Sequence, residues 1–143
     1  MALTPRLWQG ITEEWRCPGC ARSRRQIMRW TTRYFLKGVG KVPGYKGWMA
    51  GLHRHHDHGS PPYSVDGRFP ETVVCDQCNA ADGAVRRELG LPQEFSFAPQ
   101  EIARFVTSTP HGRHKVNLAI AAEIFYEVTD MKPNPHPAIR CYD

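Results

Sequence analysis

The chain has 143 residues, a formal charge of +5 and 41% hydrophobic residues, with a pI of about 9.1. That is enough for one domain with a modest core, and too apolar for a disordered chain. No run of ~18 apolar residues offers a membrane span, and "MALTPRLWQG" lacks the charged start and apolar core of a signal peptide, so a soluble intracellular protein is expected.

In chain order, residues 1–16 read as a lead-in with a short helical turn, Leu7, Ile11 and Trp15 falling at helical spacing. "CPGC" is a tight turn. "RSRRQIMRWTTRYFLKG" reads as a helix with Arg25, Arg29, Arg33 and Lys37 in one basic stripe and Gly38 as its stop, although "WTTRYF" also favours a strand. "GVGKVPGYKGW" reads as a glycine-rich loop. A strand over "MAGLHRHHD", a turn-rich loop, a second strand over "RFPETVVC" and a helix over "CNAADGAVRRELG" follow. The last third predicts a helix from Pro99, with Ile102, Phe105 and Val106 inward. A second helix carries Val116, Ile120, Ile124 and Val128 every four residues, before an extended proline-rich tail. The fold class expected is α+β, one domain with three parts: 1–52, 53–90 and 91–143.

Charge is unevenly spread. Between Cys17 and His56 there is no Asp or Glu, while Arg22, Arg24, Arg25, Arg29, Arg33, Lys37, Lys41, Lys46 and Arg54 all fall there. Trp30, Tyr34, Phe35, Tyr45 and Trp48 are interleaved with them. An acid-free basic segment attracts a phosphate backbone, and aromatic rings can support the arginines or stack on bases. These basic residues are the expected DNA contacts. The bland reading is a solvated face over core aromatics.

Four of the five cysteines form two C-x2-C pairs, Cys17/Cys20 and Cys75/Cys78. Two such pairs can fill the four vertices of a tetrahedral zinc site, which has no open position and is therefore structural. Disulfides or a redox "CPGC" pair compete with this reading, but the absence of an export signal argues against the first and the second pair against the other. Cys141 is left as an unpaired tail thiol. His111 and His114 read as part of a solvated interhelical loop that could grip phosphate.

The stretch "LHRHHDHGS" places His53, His55, His56 and His58 around Asp57 at the end of the first strand. Downstream stands Cys75-Asp76-Gln77-Cys78-Asn79-Ala80-Ala81-Asp82-Gly83, and upstream "CPGC". This order of Asp-His, short strand and "CxxCNAADG" resembles the HNH endonucleases, in particular the recombination endonuclease VII branch. The likeness covers 17–20 and about 53–88. It implies a small zinc-stabilised ββα-metal core that hydrolyses DNA to 5′-phosphate and 3′-hydroxyl ends, in a prokaryotic or phage-type setting. In that likeness His58 is the general base, with a neutral imidazole near working pH. Asp57 and Asn79 hold Mg²⁺ or Mn²⁺, which stabilises the leaving 3′ oxygen. A second register makes His56 the base and puts His55 in the ligand place; otherwise His56 contacts phosphate. "RFPE" lacks the Asn that many HNH enzymes carry before the second strand. Restriction, homing, nicking and junction-resolving roles all stay open, as does a homodimer through the long C-terminal helix. The rival readings are a non-catalytic zinc-stabilised DNA-binding module and a redox or metal-storage protein.

Overall fold

The computed structural model describes residues 4–37, 40–57 and 68–130, with backbone alone at 35–37 and 41–43. His58, the turn-rich loop up to residue 67, the tail with Cys141, and the side chains of Lys37 and Lys41 lie outside the described residues.

The element order is α1 (Pro5–Gln9), β1 (Arg29–Lys37), β2 (Gly40–Met49), β3 (Leu52–His55), β4 (Thr72–Cys75), α2 (Asp76–Glu88), α3 (Pro99–Phe105), β5 (Val106–Thr107), β6 (Lys115–Val116) and α4 (Leu118–Thr129). The strands pair as three separate antiparallel hairpins, β1–β2, β3–β4 and β5–β6. Among the described residues no helix is long and apolar enough to cross a membrane.

The helix expected from Arg22 to Lys37 is instead a turn followed by β1, and the expected glycine-rich loop is its partner β2. The reason is local. Trp30, Thr31, Thr32 and Tyr34 are β-branched or aromatic and lose χ1 freedom in a helix, whereas across a ribbon they find partners. Trp30 faces Trp48, Thr32 faces Lys46 and Arg33 faces Tyr45, with a bulge between Arg33 and Tyr34. Gly47 is part of the same solution: a Cβ there would lie 2.8 Å from the Tyr45 hydroxyl, which donates to the Trp48 carbonyl at 2.8 Å.

β3 and β4 pair from Leu52↔Cys75 to His55↔Thr72, and α2 follows at once. The helix begins at Asp76 rather than at Cys78. Cys75 is its N-cap, and the Cys75 sulfur accepts the Cys78 N–H at 3.4 Å, satisfying one of the open amides of the first turn. α3 buries Ile102 and Phe105 as expected, while Val106 leaves the helix to start β5.

In α4 the buried face is Ala121, Ile124 and Phe125, not the fourfold stripe. Val116 lies in β6 before the helix, and Val128 is 40% exposed. At 3.6 residues per turn, steps of four drift about 40° each, so such a stripe winds off the packed face. The core is one cluster that runs from Cys17 through Leu52, Val74 and Val85 to Phe125. Its centre is aromatic: Phe95 meets Phe97 and Phe125 edge-on at 4.8 Å, and Phe97 meets Phe105 at 4.9 Å.

Candidate metal centre and the histidine segment

The two C-x2-C pairs, far apart in sequence, meet where the N-terminal turn reaches the mouth of α2. The four ligand atoms of Cys17, Cys20, Cys75 and Cys78 lie within 4.8 Å of one another, and none of these cysteines is in a disulfide. Cys17 Sγ is 3.7 Å from Cys78 Sγ, and Cys20 Sγ is 3.8 Å from Cys75 Sγ. A tetrahedron with Zn–S bonds of about 2.3 Å has edges of about 3.8 Å, so the sulfurs fit a zinc ion. This cluster could hold a structural metal such as zinc. Backbone amides complete it: Cys75 N–H donates to Cys17 Sγ at 3.3 Å. Crowding spreads the thiol acidities apart. The hydrogen bond from Cys17, then those from Cys75 and Cys78, hold Cys20 far below the ordinary thiol range. Cys17 and Cys20 push Cys78 far above it.

Two basic side chains lie against the sulfurs, and sequence reasoning gave neither of them this role. Arg22, expected on the DNA face, is 4% exposed. Its guanidinium donates to Cys20 Sγ at 3.3 Å and to Cys75 Sγ at 3.6 Å. It also donates to the carbonyls of Thr109 and Gly112 at 3.1 and 3.0 Å. The DNA role expected for Arg22 is thereby corrected: its donors are spent inside the fold. His114, expected in a solvated loop, is half-buried, with Nε2 3.3 Å from Cys78 Sγ. Burial works against charging both groups. The sulfurs of Cys20 and Cys75 outweigh it and raise Arg22 and His114 above their ordinary values. Four thiolates around one Zn²⁺ would carry a net charge of about −2, which the Arg22 guanidinium would partly offset. The signal in the sequence was slight: an Arg two residues past Cys20, and a His between two predicted helices, far in sequence from either cysteine pair.

The histidine segment divides. His55 is buried, its Nε2 2.6 Å from the Phe97 carbonyl and its ring stacked on Phe69 at 5.2 Å. His53, Arg54 and His56 are exposed. β3 ends at His55, so His56 and Asp57 follow the strand rather than extend it. Asp57 Oδ2 accepts the Arg68 N–H at 2.6 Å. The Arg68 side chain runs inward to the Ser96 carbonyl and to Glu101 at 2.8 Å, across the Phe95 ring. Asn79 is half-buried in the first turn of α2. One turn further on, Asp82 is buried, accepting the Phe97 N–H at 2.9 Å and pairing with Arg86. His55 and Asp82 thus clamp the two backbone groups of Phe97. Among the described residues, only the four cysteines gather three or more His, Cys, Asp or Glu groups around one point.

Of the other expected DNA contacts, Arg24 lies over Trp8 at 4.3 Å and 3.7 Å from Glu13, and Arg54 is 3.8 Å from Glu71. Arg25, Arg33 and Lys46 are exposed and Arg29 is half-buried. No protein-family model, curated protein or solved structure matches the chain.

Proposed function

We propose that the chain is a divalent-metal-dependent DNA endonuclease of the HNH, ββα-metal type, stapled by a structural zinc. The observation that carries this reading is the joint at the mouth of α2. The β3–β4 hairpin runs straight into a helix whose first turn holds Cys75, Cys78 and Asn79, and Cys17 and Cys20 close on that turn. In the sequence the His56-Asp57-His58 run directly follows β3.

In this reading Asp57 and Asn79 would hold Mg²⁺ or Mn²⁺. When bound, the ion would supply stabilisation of charge on the leaving oxygen. His58 takes a proton from the attacking water, and exposed His56 contacts phosphate. A symmetric homodimer would present two such sites for two strands; α4 leaves Tyr126 and Val128 exposed for that contact.

Linear, nicked and branched DNA incubated with the zinc-loaded chain in Mg²⁺ or Mn²⁺ tests the proposal. Cut ends carrying 5′-phosphate and 3′-hydroxyl support it. A second reading, a zinc-stabilised DNA-binding module without catalysis, is favoured by the Asp57 carboxylate's bond to the Arg68 amide. Tight binding with no cutting in either metal would establish that reading in place of the first.

A further inference from the structure

The β1–β2 ribbon carries an aromatic face that the cleavage chemistry does not use. In an antiparallel ribbon, directly opposed residues share a face and every second residue returns to it. Trp30, Thr32 and Tyr34 therefore line up on one strand, beside Trp48 and Lys46 on the other. Trp30 and Tyr34 are each 56% exposed and Trp48 is 42% exposed. Large aromatics are enriched where one face of a side chain packs and the other meets a partner. The far side of the ribbon differs: Met49 is 4% exposed and Gly47 is buried.

The exposed face is braced. Trp30 and Trp48 meet edge-to-face at 5.7 Å and 85°. His111 packs on Trp48 at 5.0 Å, and its own Nδ1 is 2.9 Å from the Met28 carbonyl while its N–H donates to Gln26. His111, exposed in the turn between β5 and β6, thereby also supports Trp48. Because the Thr109–Gly112 loop is also bound by Arg22, the brace is anchored to the cysteine cluster. From Trp30 to Tyr34 the face runs about 13 Å at strand rise.

Charge selects the occupant. The whole segment from Cys17 to His56 is free of acids, and Lys46, opposite Thr32 on this face, forms no ion pair with any described residue; exposed Arg33 points to the other face. A rigid aromatic step beside a lysine, in a segment without acids, is a combination that holds a nucleic-acid strand by stacking on its bases and tracking its phosphates. A paired duplex keeps its bases stacked inside and offers rings only its backbone.

We propose that Trp30 and Trp48 form a stacking platform for unpaired bases, so that the chain binds single-stranded or locally opened DNA in preference to intact duplex. This deepens the nucleic-acid reading above and rests on its DNA-binding half, not on the cleavage chemistry.

The test is binding by the zinc-loaded full chain without Mg²⁺, using labelled oligo-dT of about 20 nucleotides, long enough to cover one site, and a duplex of equal length. Wild type is expected to bind oligo-dT more tightly than the duplex, with quenched tryptophan fluorescence. Trp30→Ala and Trp48→Ala should each weaken oligo-dT binding about ten-fold and duplex binding less than about two-fold, with Trp30→Phe restoring most of the loss. Zinc content and circular dichroism confirm that each variant folds; Trp30 is the more exposed, so Trp30→Ala carries the test if Trp48→Ala does not fold. Unchanged oligo-dT affinity in Trp30→Ala, or equal losses on both DNAs, overturns the platform and leaves the nuclease proposal standing. Loss of a wild-type dimer in Trp30→Ala, with DNA binding intact, would assign the face to a second copy and equally overturn it. Absence of any DNA binding by wild type overturns both.

Discussion

At Gly19 a Cβ would lie 2.7 Å from Cys78 Sγ and 3.3 Å from Cys78 Cβ. The knuckle closes only because that atom is missing. Gly19→Ala is expected to lower zinc affinity about 10- to 100-fold, the range for changes that displace a ligand from its support. Competition with a chromophoric chelator measures it; an unchanged affinity would mean that the sulfurs relax without loss. Single residues were unevenly legible in the sequence. The cysteines declare themselves by spacing. Arg22 and His114 do not: beyond its neighbour Cys20, Arg22 reaches Cys75, 53 residues away, and His114 reaches Cys78, 36 residues away. His55 looked like its neighbours and is instead a core residue held by Phe97.

Elements were legible where pattern and packing agree. The β3–β4–α2 run and α3 follow from their sequences. The β1–β2 ribbon does not, since a fourfold repeat of basic residues mimics a helix while the residues between them prefer a strand. The aromatic knot of Phe95 and Phe97 sits in a segment with no period of its own, so only tertiary contact reveals it. Between α3 and α4, Arg104 binds Glu127 at 2.9 Å on the surface. The Arg104 guanidinium holds the Glu127 carboxyl below its ordinary value. A depressed carboxyl contributes stability that is present above its unfolded pKa and lost as pH falls through the lower folded one. Glu127→Gln should therefore melt slightly below wild type at neutral pH and together with it in acid. The gap should shrink with added salt, because the pair is exposed. A gap that widens in acid would contradict the assignment.

Across the molecule, one core joins Cys17 near the start to Phe125 in α4, and the cysteine cluster lies at its edge. A chain of this size gains much of its order from such a staple. Removing zinc with a chelator is expected to lower the melting temperature of the whole domain in one transition. Loss confined to the N-terminal turn would show that the staple is local. The proposed cleavage chemistry depends on the residues that follow β3. The most direct measurement compares wild type with His58→Ala on the same labelled DNA in Mg²⁺, following binding and cutting side by side. Unchanged affinity is expected, with cutting slowed at least about 100-fold, the scale of a lost general base. Cutting at the wild-type rate by His58→Ala would contradict it.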